Sequence, residues 1–398
     1  MKSIGSIIRP DIPGIFNEIF ILKKHLIRFK YALNKKAILP PYEVLIHPIS
    51  RCNLQCKWCI GANVPNAKAR TKLEMQQLPS TLSDSRNMEK VVKNVLSYKK
   101  KVGNKIYKVE NVSFSGIVGE PLMAKDAFIK AVEILSKNNI RIGLFSNATL
   151  LNDELIETLL KVAYVNISID SGCSKTYAKL KYGGLSGGGA IFNNLLANIK
   201  KLVDKRNETN SKLEINISYI LYPKNYKEIY QLAKRMKEMG IDNLRMKQDN
   251  SGKHLLSKEQ MKEANKLLKK IDKIKNKNFN FIKIHKLNNP SEMRRCEGSC
   301  IITDLFAAVG SDGNMYPCNY HPRKGGYVYG NLLTNSFKSI WEGKKRKDIK
   351  AKLPLICPAV CDPFKNRSNR LFNFIKQYQQ EKGRQKTNQL ITKLRRIV

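Results

Sequence analysis

The run Ser50-Arg51-Cys52-Asn53-Leu54-Gln55-Cys56-Lys57-Trp58-Cys59 holds three thiols in a Cys-x3-Cys-x2-Cys spacing. One tight loop of this kind can aim three thiolates at three irons of a cubane iron–sulfur cluster and leave the fourth iron open. An open iron can bind a small chelating ligand and so take part in chemistry. A structural zinc would want a fourth Cys or His nearby. His47 is close in sequence, but it falls in a stretch that reads as a strand. Spacing therefore favours an iron–sulfur cluster, with zinc or unrelated thiols as the competing assignments. A second set, Cys296, Cys300, Cys318, Cys357 and Cys361, lies far downstream, and Cys173 stands alone between the two. Nine cysteines in a chain without a signal-peptide pattern read as metal ligands rather than disulfides.

The elements that must position these thiols follow from the rest of the chain. Its 398 residues suffice for one large domain and a smaller one, and 42% apolar content allows a sizeable core. No run of 18 apolar residues exists, so no membrane-spanning helix is expected. The expected location is cytoplasmic, at most peripheral to a membrane. The formal net charge of +41 suggests an anionic partner: nucleic acid, an anionic membrane surface, or an acidic substrate or peptide. A solvated basic surface without a partner accounts for it equally well. Residues 12–37 carry Ile15, Phe16, Ile19, Phe20, Leu22, Leu26, Phe29 and Leu33 near helical spacing among basic residues including Lys35 and Lys36. This segment reads as a helix packed on the main domain or lying on a membrane surface.

From residue 42 the chain alternates strand-like and helix-like stretches. Strands are expected at Tyr42–Pro48, Asn111–Ser115, Ile140–Phe145, Val162–Ile169, Leu213–Leu221 and Asn243–Lys247. Helices are expected at Asn87–Lys101, Lys125–Asn138, Asn152–Leu160, Ala190–Lys205 and Tyr226–Met239. Six such units argue for an α/β fold, a partial (β/α)6 parallel barrel. The cysteine loop follows the first strand, at the carboxyl end of the strands, where α/β folds place their chemistry. Gly61–Ser80 reads as a long loop. Leu180–Ala190, with Gly183-Gly184 and Gly187-Gly188-Gly189, reads as a lid or active-site loop; it lacks the Lys-Ser/Thr ending of a phosphate loop. The expected organisation is a basic helical segment at 1–40, the barrel at 41–250, a helical linker at 251–295, a cysteine-rich cluster domain at 296–365 and a basic helical tail at 366–398.

These motifs resemble, in order, those of the radical S-adenosylmethionine (SAM) superfamily. Trp58 stands at the aromatic position before the third cysteine, and Ser115-Gly116-Ile117-Val118-Gly119-Glu120-Pro121 resembles the family's Gly-Gly-Glu-Pro motif, with Val118 in place of a glycine. Ser146-Asn147-Ala148-Thr149 is similar to its Thr-Asn-Gly turn, and Ser168-Ile169-Asp170 to its Ser-x-Asp. Asn225-Tyr226 and Leu244-Arg245-Met246-Lys247 also fit. The resemblance covers about residues 42–250. It implies that Cys52, Cys56 and Cys59 hold a 4Fe–4S cluster and that Gly119, Glu120, Ser146, Asn147, Ser168 and Asp170 line the SAM site, with Trp58 and Met246 flanking the adenine. It further implies reductive cleavage of SAM to a 5′-deoxyadenosyl radical, hydrogen-atom abstraction from a substrate, and a reducing partner of the flavodoxin or ferredoxin type.

The second cysteine set resembles the SPASM or twitch extension of these enzymes, which holds auxiliary 4Fe–4S clusters. Asp312-Gly313 marks a hairpin before Cys318, and Cys357-Pro358-Ala359-Val360-Cys361 closes the set. Five cysteines fit one auxiliary cluster, on Cys300, Cys318, Cys357 and Cys361, with Cys296 as the reserve. A zinc ribbon remains the alternative, because four thiolates suit zinc equally well. Cys173 reads as a buried structural thiol, or as a thiol returning a hydrogen atom to a substrate radical. The substrate expected is a small metabolite undergoing oxidation, epimerisation or rearrangement. A ribosomally made peptide, RNA, and a non-catalytic iron–sulfur scaffold are the alternatives.

Overall fold

The computed structural model describes residues 8–9, 11–12, 14, 17–34, 38–59, 79–116, 119–184, 187–249, 254–287, 294, 297–322, 325–357 and 361–397. Cys296, Ile15, Phe16, Lys35, Lys36, Ile117, Val118, Pro358, Ala359, Val360 and all but the last two residues of the Gly61–Ser80 stretch lie outside them.

In chain order the elements begin with helices α1 (Ile19–Lys24) and α2 (Leu26–Asn34), strand β1 (Glu43–Ile46), helix α3 (Ser85–Ser97), and strands β2 (Lys100–Val102), β3 (Lys105–Tyr107) and β4 (Asn111–Phe114). Next come α4 (Lys125–Lys137), β5 (Arg141–Ser146), α5 (Asp153–Leu159), β6 (Tyr164–Ser168), α6 (Ser174–Lys181), α7 (Gly188–Glu208), β7 (Glu214–Leu221), α8 (Ile229–Met239) and β8 (Asn243–Gln248). They are followed by α9 (Lys258–Ile274), β9 (Asn280–Lys283), α10 (Ile302–Leu305), β10 (Phe306–Val309), β11 (Asn314–Tyr316), β12 (Gly330–Asn331), α11 (Phe337–Glu342), α12 (Lys344–Ala351) and α13 (Pro363–Arg395).

All six expected strands form, and they lie side by side and parallel in the order β1-β4-β5-β6-β7-β8. Along them residues such as Val165 and Ile167 enter the helix-covered core, while Asn166 and Ser168 face the interior cavity. Side-chain caps set the helix starts: Asp84 accepts from Arg86 N and Asn87 N, and Ser257 forms a capping box with Gln260. Gly240, at φ 88°, ends α8 in the left-handed region.

Two further parallel strands extend the sheet. β9 pairs with β8 inside the stretch read as a helical linker, and β10, from the cysteine-rich segment, pairs with β1. β11 and β12 follow antiparallel on that edge. Among the described residues no pairing joins β9 to β10, so the barrel stays open there. The start of α13 lies along the interior, with Asp362, Phe364, Lys365 and Arg367 on the cavity wall.

The expected helix at 87–101 stops at Ser97, and the chain turns into a hairpin whose two-residue turn is Gly103-Asn104. The single amphipathic segment at 12–37 is two short helices broken at His25. Their apolar face packs against α13: Ile19, Leu22, Phe29 and Leu33 form one buried cluster with Leu371, Phe372 and Ile375. The Glu18 carboxylate pairs with the Arg367 guanidinium in the same place. The packed-helix reading therefore holds over the membrane-surface one for this face.

Candidate active site

The loop carrying Cys52, Cys56 and Cys59 leaves the carboxyl end of β1 and is held by backbone contacts on two sides. Glu120 N donates to Arg51 O at 2.8 Å, while Gln55 N and Lys57 N donate to the carbonyls of Lys181 and Leu180 at 2.9 and 3.1 Å. Asn53 links it to the end of β5, accepting from Asn147 Nδ2 and donating to Thr149 Oγ1, both at 2.8 Å. Burial pushes the Cys52 thiol up to about 11, so in the folded chain its thiolate needs a nearby positive centre. Three cysteines of one loop on one cavity wall have the chemistry and spacing that a site-differentiated cluster would require.

That cavity has a volume of about 460 Å³. Cys52, Cys56, Cys59, Trp58, Gly119, Glu120, Ser146, Asn147, Ser168 and Asp170 all line it. Glu120 accepts from Ser146 Oγ at 2.6 Å, Asn147 N at 2.7 Å and Leu122 N at 3.1 Å. Burial raises its carboxyl above the usual range, partly offset by those donors. The two glycines before it form a cradle with no room for a side chain. A Cβ on Gly119 would lie 2.0 Å from Ile49 O, and one on Gly116 would lie 1.8 Å from Gly119 O. These contacts pack the backbone at Gly119 tightly against the start of the cysteine loop, beside Glu120 on the cavity wall where the SAM methionyl end would lie.

Asp170, at φ 57°, closes the turn after β6. Its carboxylate accepts from Ile220 N at 2.7 Å and pairs with Lys181 Nζ at 2.7 Å. Burial opposes the charge on Lys181, yet Asp170, with Cys56, holds its proton above the ordinary lysine value. Asn225 braces the same turn, donating to Asp170 O at 2.8 Å. Trp58 packs on Tyr222 with ring centroids 5.1 Å apart.

Met246 does not reach the cavity. Side chains alternate along a strand; Arg245 and Lys247 of β8 line the interior, so Met246 points outward into the main core. Cys173 is exposed rather than buried, and it does not line the cavity; its thiol lies 3.5 Å from Glu228 Oε1. It sits immediately before α6.

Cys318 also faces this cavity, together with Asn319 and Tyr320. On its other side Cys318 joins Cys300, Cys357 and Cys361 around a small second cavity of about 30 Å³. Burial drives the Cys361 thiol well above its ordinary value, again calling for a positive centre. Four cysteines lining one small cavity are a donor set whose chemistry fits a cluster. Sequence reasoning missed Lys181, Lys247, Asp362, Lys365 and His321. The lysines carry no marker among 73 Lys and Arg, whereas His321, one of five histidines and three residues after Cys318, did offer a signal.

The family model of the radical SAM superfamily matches residues 46–247, just over half of the chain. The chain belongs to the radical SAM superfamily. An iron–sulfur cluster-binding domain model, SPASM, matches residues 300–362. This radical SAM enzyme takes 4Fe–4S clusters and SAM as its cofactors. Among curated proteins it is 23% identical over 194 residues to a tungsten-containing aldehyde ferredoxin oxidoreductase cofactor-modifying protein of Pyrococcus furiosus, covering 48% of this chain and 47% of that protein. The chain thus spans about half the length of that relative. Among solved structures it resembles Streptococcus suis SuiB bound to SAM, with TM-score 0.56 and 18% identity over 86% of this chain and 74% of that one. It also resembles native anSMEcpe with bound AdoMet, with TM-score 0.54 and 18% identity over 87% of this chain and all of that one. These likenesses establish the fold as a radical SAM partial barrel with a cysteine-rich extension. No described helix is long and apolar enough to cross a membrane.

Proposed function

We propose that this enzyme oxidises a small polar substrate inside the barrel, using the first three cysteines to generate the radical and the second set to accept an electron. The observation that carries this reading is the single cavity onto which Cys52, Cys56, Cys59 and Cys318 all open. The bound cofactors would supply one-electron reduction of the SAM sulfonium by a flavodoxin- or ferredoxin-type donor, giving methionine and a 5′-deoxyadenosyl radical that takes a hydrogen atom from the substrate. Glu120, Ser146 and Asn147 would orient the methionyl end, and the Asp170 turn would fix the opposite wall. Asn166, Asn216, Arg245, Lys247 and Gln248 form a polar stretch of the remaining wall, beside apolar residues such as Phe145, Ile284, Phe306 and Phe364.

Oxidising a substrate radical removes an electron to the auxiliary site and leaves a proton to be accepted. Lys247 is placed for that task. It lines the cavity, and burial, with Arg245 beside it, lowers its ammonium to about 8 against the opposing pull of Asp362 and Asp170. The buried His285 ring also lies within electrostatic reach of Lys247.

A second reading, modification of a peptide side chain in the same cavity, is favoured by the likeness to SuiB, which has been solved bound to the precursor peptide SuiA. The experiment that separates them measures 5′-deoxyadenosine formed by anaerobically reconstituted protein with SAM and reductant, using Cys56→Ala as the blank. Native cell extract is added as its small-metabolite or its macromolecular fraction. Stimulation by the small fraction supports the first reading; stimulation by the macromolecular fraction alone overturns it in favour of a peptide or RNA.

A further inference from the structure

His321 is fully buried, at 0% exposure, and lines the small cavity with Cys300, Cys318, Cys357 and Cys361. Its Nε2 lies 3.7 Å from Cys357 Sγ. Its backbone N donates to Cys318 O at 3.1 Å, and its ring stands edge-on to Tyr327 with centroids 5.8 Å apart. The residue is thus anchored through its main chain and flanked by Tyr327, with Nε2 toward the sulfur.

We propose that His321 donates an Nε2–H hydrogen bond to the Cys357 thiolate as that thiolate ligates the auxiliary cluster, and that this bond raises the cluster's reduction potential. The inference rests on the reading that the four-cysteine cavity holds a cluster. A thiolate carries only lone pairs, so a ring nitrogen facing it must bring the hydrogen. Nor do the two atoms suit ligands of different irons: ligands on separate corners of a cubane diverge, and these two converge. Reduction adds negative charge to the cluster and its sulfurs. A donor aimed at one of those sulfurs stabilises the reduced state more than the oxidised one. Burial keeps water from replacing the donor. An auxiliary site poised this way is better suited to take an electron from a substrate radical than to pass one on.

The test uses the full chain carrying Cys52→Ala, Cys56→Ala and Cys59→Ala, so that only the second site can hold iron. Iron and sulfide content establish first whether a cluster forms. Absence of any cluster, or zinc in its place, overturns the underlying reading of the cavity. With the cluster present, potentiometric titration followed by electron paramagnetic resonance compares this background with added His321→Leu and His321→Gln. His321→Leu is expected to disfavour reduction about tenfold, equivalent to about 59 mV for one electron. His321→Gln keeps an N–H donor and is expected to recover part of that shift. An unchanged potential in a loaded His321→Leu protein overturns the hydrogen bond while leaving the cluster reading intact. Should His321→Leu not load, 15N-histidine labelling of the protein that retains His321 decides the matter. Weak nitrogen coupling in electron–nuclear double resonance is the expected result, and coupling of the size of a direct iron ligand, or none at all, overturns it.

Discussion

The carboxylate of Asp170 and the ammonium of Lys181 meet at 2.7 Å inside the protein, with side-chain exposures of 2% and 3%. The pair joins the turn after β6 to the last residue of α6, whose carbonyl receives the Gln55 N–H of the cysteine loop. Lys181→Met would strand a buried carboxylate, and the expected loss is about 3–5 kcal/mol in denaturant unfolding. Adding Asp170→Asn should recover much of it. The pH dependence has a definite sign. Lys181 binds its proton more tightly when folded than at its ordinary value of 10.5, so the contribution is complete below that pH and disappears as pH rises through the folded value. An alkaline loss of stability that persists unchanged in Lys181→Met would show that the pair does not cause it.

Gly119→Ala tests the cradle. With Ile49 O only 2.0 Å from the new methyl group, backbone must shift, at a cost of about 1–3 kcal/mol. SAM affinity in equilibrium dialysis should fall about tenfold to a hundredfold, with iron content retained. Undiminished affinity would separate this close approach from the ligand.

Proton acceptance by Lys247 requires its neutral form. Turnover should therefore rise with pH through about 8 and level off above it, and Lys247→Met should remove that rise together with most product formation. 5′-Deoxyadenosine formation without substrate oxidation should persist in the variant. A pH profile unaffected by the substitution would place the proton elsewhere.

Phe29 of α2 meets Phe372 of α13 edge-to-face, ring centroids 5.3 Å apart, with both rings buried. Phe29→Ala is expected to cost about 3–5 kcal/mol and to lower the thermal midpoint, leaving association with anionic vesicles unaltered. The opposite pattern, weaker vesicle association at full stability, would return the helix to a membrane surface.

The parts of this fold that were legible share a physical character. β6 and β7 alternate core residues such as Val165, Ile167, Ile215 and Ile217 with the polar Asn166, Ser168 and Asn216 and are rich in β-branched residues, so period, length and composition agree. The cysteine loop and the glycines before Glu120 were legible because metal ligation and tight backbone approach admit few residue types. β9 was hidden because its four residues lie in a Lys- and Asn-rich stretch, and its stability comes from pairing with β8 rather than from its own pattern. The β2–β3 hairpin was obscured by helix-favouring lysines running past Ser97. Met246 was expected at the cavity and Lys247 was missed because adjacent strand residues point to opposite faces, and only the folded strand tells which faces inward. The Asp170–Lys181 partnership and the His321–Cys357 contact arise from tertiary meetings of segments 11 and 36 residues apart, on which local spacing is silent.

The pairing of β10 with β1 has a consequence for how an electron could travel. Glu43 to Ile46 run in register with Phe306 to Val309, and the radical-forming loop departs just beyond one strand while the hairpin leading to Cys318 departs beyond the other. The first cysteine set and Cys318 thus hang from a shared ladder of hydrogen bonds instead of a tether. Clusters held at these two places would have their separation gauged by paired strands rather than by the length of the connecting segment.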